Sequence, residues 1–495
     1  MSAISQKKMN LFNGSCGKVL LSLVIILSII AFYLIWRFSI DKAVIYDDIQ
    51  EHFKYGSTGG ERVAGFPYWI FAALPEVCPE HLPGKGYQSL GLVFEKGKDL
   101  PIGMSMRRVT GLDRVFLNCA VCHTGTVRET ADSEPTIVLG MPANTFNVMD
   151  FQSFFFNCAR DPRFTAEHIV PVIEKKANGL SFLDKYLVYP IAISLMRDGL
   201  ISLASRFTFA DKQPAWGPGR VDTFNAAKAV FNFPFGNTDP SEMIGTADLP
   251  SIWNQQQRQG MQLHWDGNNT QVEERNKSAA FGTGTTPPTI ELANIKRLED
   301  WLLTFRPPPY PYLIDKKLAA KGQPVYMEYC ANCHGANGQD FTGEYVGTVV
   351  PINKIGTDRW RLDSYTYNLA VNQSTLYSGY PWRFKNFRKT FGYANMPLDG
   401  IWLRAPYLHN GSVPTLRDLL NPGSERPDTF YRGNDIYDKK QVGFVSDIAS
   451  EGSKKYFLFD TKIPGNGNFG HEGKTYGTEL PAAQKDALVE YMKTF

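Results

Sequence analysis

Two stretches of the sequence decide the fold: CAVCH at residues 119–123 and CANCH at residues 330–334. Both have the spacing C-x-x-C-H, which is the attachment signature of c-type haem. Two thiols three residues apart reach the two vinyl groups of one porphyrin, and the adjacent imidazole is held beneath the iron as its proximal ligand. The repeated pattern predicts two covalently bound haem c groups. The residues predicted to bind them are Cys119, Cys122, His123, Cys330, Cys333 and His334.

A structural zinc site is the alternative for two C-x-x-C pairs, because four thiolate or imidazole ligands form a tetrahedron around zinc. Zinc does not require a histidine directly after the second cysteine, yet both motifs have one. The sequence therefore favours haem.

The composition is that of a folded globular protein. The 495 residues are 43% hydrophobic and 13% aromatic, and the formal net charge is +3. This length predicts two or three domains, and the composition excludes a disordered or fibrous chain. A charge so close to neutral gives no indication of a nucleic acid partner.

An apolar segment near the N-terminus predicts a membrane anchor. Residues 19–36 carry no charge and are long enough to cross a bilayer as a helix. Lysines precede the segment and aspartates follow it, so residues 1–18 are expected in the cytoplasm and the bulk of the chain in the periplasm. The protein is then a single-pass protein of the inner (cytoplasmic) membrane. The alternative, a cleaved signal peptide, usually has a shorter apolar region and a small-residue cleavage site.

Helix-breaking prolines and apolar periodicity predict the domain organisation. An N-terminal haem domain is expected over residues 43–306, with a helical insertion at about 151–235. The proline run at 307–309 cannot continue a helix and makes a linker, and a C-terminal cytochrome c domain is expected over 312–495. Apolar periodicity predicts helices at about 290–304, 315–329 and 481–495. The predicted fold class is mainly α: two cytochrome c-like haem domains after a transmembrane helix.

Of the seven cysteines, Cys16 precedes the apolar segment, whereas Cys78 and Cys158 lie beyond it and outside the motifs. Beyond the membrane a disulfide between them would persist. Two separate buried thiols are equally compatible with the sequence.

The second haem needs a sixth iron ligand from the loop that precedes the closing helix. His471 lies ten residues before the predicted helix and is the first candidate. His409 is the second candidate, and Met396 is the third. Methionine ligation would raise the reduction potential relative to a pair of histidines. The predicted iron ligands are thus His123, His334 and His471.

The haem on His123 has fewer candidate ligands. His264 is the first histidine on the haem side, and if it points elsewhere, the sixth position is open to peroxide or dioxygen. If His264 binds the iron, this haem only transfers electrons.

Several stretches resemble the bacterial dihaem cytochrome c peroxidases and, more closely, their relatives the dihaem rubber oxygenases. The resembling stretches are LPIGMSMRRVTGLDRVFLNCAVCHTG (100–125), GPGRVDTFN (217–225), LHWDGNN (263–269), VEERN (272–276), PLDGIWLRAPYLHNGSVPTLRDLL (397–420) and GNGNFGHE (465–472). The resemblance implies two haem domains with Trp265 between the haems as a bridge for electrons. It also implies that Phe281 lies in an apolar pocket at the active haem, as an alternative to an ordinary core phenylalanine. A calcium ion between the domains is a further implication, for which no EF-hand-like loop is present.

The sequence departs from the peroxidases in one important respect. Cleavage of an O–O bond benefits from a positioned acid or base, and no carboxylate occurs between residues 279 and 290. The chain is also shorter than rubber oxygenases and carries an apolar N-terminal segment, so the polymer substrate does not carry over.

The predicted function is that of a membrane-anchored dihaem oxidoreductase, peroxidase-like or oxygenase-like. The His123 haem would react with peroxide or dioxygen, and the His334 haem would relay electrons. His264, Trp265 and Phe281 are the candidate catalytic residues, and His409 remains a candidate for haem binding. The expected partner is a small redox protein or a donor or acceptor of a respiratory chain. The alternative is a pure electron-transfer cytochrome with two six-coordinate haems.

Overall fold

The computed structural model describes residues 15–236 and 238–495. Most of the predicted cytoplasmic segment, residues 1–14, lies outside the described residues.

Sixteen α-helices, numbered in chain order, occur in the described part of the chain. They are α1 Ser15–Ser39, α2 Ile49–Tyr55, α3 Tyr68–Val77, α4 Val148–Arg160, α5 Ala166–Lys176, α6 Tyr189–Arg206, α7 Thr223–Val230, α8 Val272–Gly282, α9 Leu292–Thr304, α10 Lys316–Tyr329, α11 Ala331–His334, α12 Ile352–Ile355, α13 Trp360–Ser364, α14 Tyr367–Leu376, α15 Leu416–Leu419 and α16 Ala482–Met492. A π-helical turn, Asp184–Val188, leads directly into α6. The predicted helices at 290–304, 315–329 and 481–495 are confirmed as α9, α10 and α16.

The described strands are short and pair antiparallel. They are β1 Asp41–Ala43, β2 Phe66–Pro67, β3 Met104–Val109, β4 Leu112–Leu117, β5 Thr124–Val127, β6 Thr136–Leu139, β7 Arg220–Val221, β8 Ala247–Asp248, β9 Val349–Pro351, β10 Gly392–Ala394, β11 Thr429–Arg432, β12 Tyr437–Asp438, β13 Gly443–Phe444, β14 Ser450–Glu451, β15 Lys454–Lys455 and β16 Phe457–Asp460. One sheet has four strands in the order β1-β3-β4-β2, and six more sheets have two strands each.

The predicted mainly α fold class is wrong. The chain is about 43% helix and 12% strand, and the strands form several small sheets among the helices. The hairpin β3–β4 shows the signal that the sequence analysis missed. Thr110 and Gly111 join its strands, both with positive φ (50° and 76°), which is the two-residue turn that matches the twist of paired strands. Strands of two to six residues are too short to show sustained alternation, so the helical periodicity dominated the prediction.

Two described helices are long and apolar enough to cross a membrane, Lys18–Ser39 and Asp184–Arg206. The first projects from the body, because its apolar side chains from Val19 to Tyr33 are exposed. An apolar helix near an N-terminus is either an anchor or a signal sequence. The second packs one face against α4 and α5.

A disulfide joins Cys78, after α3, to Cys158 on α4. Both cysteines are fully buried in a core rich in phenylalanine, which includes Phe154 and Phe155. The disulfide settles the choice that the sequence left open. It ties the end of α3 to α4 within this core.

A second core forms around Trp402, Tyr326 and Leu488 and includes the facing sides of α10 and α16. The two helices cross in very close contact, because a Cβ at Gly322 would lie 1.9 Å from the carbonyl oxygen of Ala487. Only glycine allows this approach, and the crossing positions the second haem motif at the end of α10. The predicted domain limits, 43–306 and 312–495, remain predictions.

Candidate haem sites

The first motif lies on a 3-10 turn, Cys119–Val121, whose start is capped by Asn118. The Asn118 side chain accepts a hydrogen bond from the Ala120 N–H at 2.9 Å and donates to the carbonyl oxygens of Lys54 and Gly56. Gly103 packs directly on the backbone of Val121, where a Cβ would lie 2.3 Å away. The turn that carries both thiols is therefore rigidly held.

His123 is oriented for metal binding. Its Nδ1 lies 2.8 Å from the carbonyl oxygen of Pro250, to which a protonated Nδ1 donates. That hydrogen bond leaves Nε2 as the free ligand atom, the arrangement that fixes the tautomer of a metal-binding histidine. Burial, with a smaller contribution from Arg275, lowers the pKa of His123 to about 4. The ring is thus neutral, as an iron ligand must be.

The four motif cysteines are free thiols rather than disulfides in the described structure. Burial raises the pKa of Cys119 to about 11 and that of Cys122 to about 12. Cys119 and Cys122 both border a cavity, where their thiols can reach the vinyl groups of a porphyrin.

A cavity of about 1520 Å³ opens beside the first motif and is lined mainly by apolar side chains. Cys119, Cys122 and His123 form part of its wall. Ligand pockets usually measure about 300–1,000 Å³, so this cavity has room for a haem together with a further apolar molecule.

His264 lines the same cavity. Its backbone has a positive φ of 63°, and its Nε2 is buried without a hydrogen-bond partner. Burial lowers the pKa of His264 well below its usual value. A neutral imidazole with an unpaired nitrogen can serve as a metal ligand or as a hydrogen-bonding group within the cavity.

Two charged residues of the cavity were missed by the sequence analysis. Arg275 on α8 forms no ion pair with the described residues, and burial lowers its pKa to about 10. A guanidinium facing the cavity suits the carboxylate of a haem propionate. Glu299 on α9 is 8% exposed, and its Oε1 has no partner. The helical spacing of α9 places Glu299 next to the apolar stripe of that helix. The sequence did not show that this face of α9 borders a cavity.

The second motif follows α10 and ends on the short helix α11. The Nδ1 of His334 lies 2.7 Å from the carbonyl oxygen of Met396, so Nε2 is again the free ligand atom. Burial lowers the pKa of His334, which keeps this ring neutral as well. The Tyr326 hydroxyl donates to the Gly335 carbonyl at 3.0 Å and secures the end of the motif.

His471 lies opposite His334, with the two ring centroids 6.2 Å apart and the ring planes at 48°. Two metal–nitrogen bonds of about 2 Å each, together with the two ring radii, span about 6 Å. The pair can therefore hold an iron between its imidazoles. Burial, and next the neighbouring His334, lower the pKa of His471 to about 3.

The loop around His471 is strained and tightly held. His471 and Gly470 have positive φ angles of 49° and 77°, and the His471 N–H donates to the Ile355 carbonyl at 2.7 Å. Arg426 donates to the Gly470 carbonyl at 3.0 Å. These contacts fix the position of the imidazole.

His409 and Met396 make other contacts. The His409 ring stacks on Tyr393 with centroids 4.0 Å apart, and its Nε2 is buried without a partner. The carbonyl oxygen of Met396 meets the Nδ1 of His334, which places the Met396 backbone away from the free Nε2. Of the two histidine candidates, His471 is the one whose ring pairs with that of His334 among the described aromatic contacts.

Trp265 packs among residues that adjoin both sites. Its indole donates to the Asp248 carbonyl at 2.8 Å and packs with Ile355 and Tyr393. The preceding residue, His264, lines the cavity of the first motif, whereas Ile355 contacts His471 through its carbonyl. Trp265 therefore connects the surroundings of both motifs.

Phe281 lines the cavity and also stacks on Tyr377, with centroids 4.2 Å apart. Trp382 and Phe384 extend this aromatic cluster. The two roles considered for Phe281, pocket wall and core residue, are thus compatible.

One group of possible metal ligands occurs in the described chain: Glu80, His81 and Asp161. Arg163 forms ion pairs with both carboxylates, and its positive charge offsets part of their negative charge. This group adds no support for calcium, and the calcium ion stays a prediction.

A family model described as RoxA-like, cytochrome c-like, matches residues 392–431, a segment that contains Met396 and His409. Two relatives are proteins of Sinorhizobium fredii (strain NBRC 101917 / NGR234), both described as uncharacterized. Protein y4iJ is 27% identical over 565 aligned residues, covering 90% of this chain and 91% of its own length. Protein y4iM is 33% identical over 288 residues, covering 50% of this chain and 64% of its own length.

The match shows a cytochrome c-like domain, and such a domain implies covalently bound haem c. It supports a c-type cytochrome of the RoxA-like kind and indicates a haem-binding oxidoreductase.

Proposed function

We propose that the chain is a dihaem oxidoreductase in which the haem on His123 reacts with dioxygen or peroxide and the haem on His334 relays electrons. The observation that carries the proposal is the asymmetry of the two sites. His334 has a second imidazole 6.2 Å away, whereas His123 borders a cavity of about 1520 Å³. Haem supplies the redox centre and the coordination site. The chain supplies ligands, orientation and shielding from water.

The His334 site is suited to electron storage. His334 and His471 are both neutral, partly buried and held by hydrogen bonds to backbone carbonyls. A haem held by both His334 and His471 would have no open coordination site, and it would then serve to exchange electrons. Trp265 supports a connection to the first site, because its indole packs beside Tyr393 while its neighbour His264 reaches the cavity.

The His123 site is suited to a reaction on an apolar substrate. The cavity walls are mainly aliphatic and aromatic side chains, which exclude water and strengthen the electrostatic interactions of the few polar groups. Among the described lining residues, Glu299 is the one carboxylate. Burial raises its pKa to about 7, so Glu299 holds a proton at its carboxyl group under mildly acidic conditions. Glu299 would hold that proton on the cavity wall, ready for a reactant bound there.

A pure electron-transfer function is the second candidate, and one observation favours it. The Nε2 of His264 is buried in the cavity without a partner, as expected for a residue that binds an iron. His264 would then complete the coordination of the His123 haem.

Spectra of the resting full-length protein separate the two candidates. The proposed oxidoreductase shows one low-spin and one high-spin ferric haem by electron paramagnetic resonance, and its reduced form binds carbon monoxide at one haem. Two low-spin haems and no carbon monoxide binding would leave electron transfer as the function. In His264→Ala the spectrum stays unchanged under the first function, whereas a high-spin signal appears under the second.

The apolar helix α1 supports membrane attachment in the inner membrane with the bulk of the chain in the periplasm. Its exposed apolar side chains have no partner in the described body, and a bilayer would cover them. A small redox protein or a respiratory-chain component is the proposed electron partner. Protease digestion of spheroplasts tests the orientation: an anchored protein loses its body and keeps a short membrane fragment.

A further inference from the structure

We propose that the cavity beside His123 opens onto the outer leaflet of the anchoring membrane and takes its substrate, a chain lipid, from the bilayer. This inference rests on the proposed function and its anchor. It adds a membrane-docking surface that includes the first part of the helix Asp184–Arg206.

The end of α1 is fastened to the start of that helix. Arg37, which is 8% exposed, forms an ion pair with Asp184. The ring of Phe38 packs against Gly111 in the β3–β4 turn, where a Cβ would lie 2.8 Å from it. Since α1 is the helix that would cross the bilayer, its last residues lie at the periplasmic surface of that bilayer. The helix beginning at Asp184 must start at the same level.

An exposed apolar stripe begins at this point. Leu187, Ile191 and Leu195 recur every four residues and are 52%, 51% and 67% exposed. They extend about 12 Å along the helix at 1.5 Å per residue. The exposed Asp198 ends the stripe. The apolar part therefore adjoins the anchor, as a face immersed in the headgroup region would.

Aromatic side chains lie near the start of the stripe, at the depth expected for the membrane–water interface. Trp36 and Tyr33 lie on the last turns of α1, with ring centroids 6.2 Å apart. Phe182 and Tyr186 precede the stripe, with centroids 4.8 Å apart, and both are more than half exposed. Aromatic rings concentrate at membrane–water interfaces. Two aromatic pairs near the Arg37–Asp184 ion pair mark that interface on the body of the protein.

The stripe is also the rim of the cavity. Leu187, Ile191 and Leu195 line the cavity together with Phe38 of α1, and the lining continues to His123. The opening therefore faces the same side as the stripe. A molecule that leaves the bilayer along this face reaches the cavity without crossing water, which suits an apolar chain and excludes a polar solute.

Site-directed spin labelling tests the docking. Full-length holoprotein carrying Cys16→Ser and Leu195→Cys is labelled with a nitroxide and reconstituted in lipid nanodiscs. Its matched control carries Cys16→Ser and Leu313→Cys, because Leu313 is 97% exposed and lies beyond the first haem motif's surroundings. The label at 195 should show a several-fold higher ratio of collisions with oxygen to collisions with a water-soluble nickel chelate than the label at 313.

Equal ratios at both positions would overturn the docking surface. A label at 195 that is shielded from both reagents would overturn it too, because protein would then cover the stripe. Failure of the full chain to enter nanodiscs would remove the anchor on which the inference rests. These outcomes do not depend on the haem spectra. The spin-label experiment therefore tests the docking surface, and the spectra test the reaction at the His123 haem.

Discussion

His334 and His471 face each other with ring centroids 6.2 Å apart. The His334 ring is held by the Met396 carbonyl, whereas His471 is held through its backbone N–H, which donates to the Ile355 carbonyl. The two residues are far apart in the sequence and come from different kinds of structure, a short helix and a strained loop. The close helix crossing at Gly322 positions one imidazole, and the loop contacts of Gly470 position the other.

His471→Met is expected to raise the reduction potential of one haem by on the order of 0.1 V, because methionine ligation favours the reduced iron. The low-spin ferric signal of that haem should change in the same variant. A potentiometric titration followed by the visible spectrum measures the shift. His409→Gln is the control, since His409 stacks on Tyr393 rather than on His334. A shift in the control and not in the His471 variant would assign the ligand to His409.

The sequence predicted the haem motifs and the helices that approach them, because both depend on local patterns. The short distance in sequence between His471 and α16 made His471 the first candidate for the sixth ligand. Its pairing with His334, however, depends on a loop that is held by Ile355 and Arg426, and no local sequence pattern shows those contacts. The small sheets were missed for a similar reason, since two-residue strands have no period. Glu299 and Arg275 were missed because a cavity is a property of packing. The β3–β4 turn, Thr110-Gly111, was the one available signal.

Glu299→Gln is expected to stabilise the protein more at pH 8 than at pH 5. Burial raises the pKa of Glu299 from 4.5 to about 7, so the folded state binds more protons than the unfolded state between those values. The wild type therefore loses stability as the pH rises from about 4.5 to about 7. The variant carries no such group, and its melting temperature should exceed that of the wild type by a few degrees at pH 8 only. Thermal unfolding at both pH values measures this.

An equal difference at pH 5 and pH 8 would contradict the raised pKa of Glu299. Glu134→Gln serves as the charge control, because Glu134 is an exposed carboxylate. The control should not reproduce the pH-dependent gain in melting temperature.

Asp248→Asn is expected to lower the free energy of unfolding by about 3–5 kcal/mol, the usual cost of breaking a buried ion pair. Asp248 and Arg432 are 5% and 3% exposed at their side chains, and the positive charge of Arg220 also acts on Asp248. The amide would leave the buried Arg432 guanidinium without a carboxylate and remove one of the two carboxylates, Asp248 and Asp358, that act on Arg220. Denaturant unfolding measures the loss.

The matched control for Asp248→Asn is Asp428→Asn. Asp428 pairs with Lys462, and both side chains are about 70% exposed (68% and 71%). Exposed ion pairs contribute about 0–1 kcal/mol. Comparable losses in the two variants would mean that burial does not set the energy of the Asp248 pair.

Removal of the disulfide by Cys78→Ala and Cys158→Ala is expected to cost about 2–5 kcal/mol. The bond closes a loop with a sequence separation of 80 residues, and closing so long a loop reduces the entropy of the unfolded chain. A thiol reductant should lower the melting temperature of the wild type and leave the double variant unchanged, because thioether bonds to haem resist reduction. If the reductant acted equally on both proteins, the loss would have to come from another bond, and the Cys78–Cys158 link would not be the stabilising one.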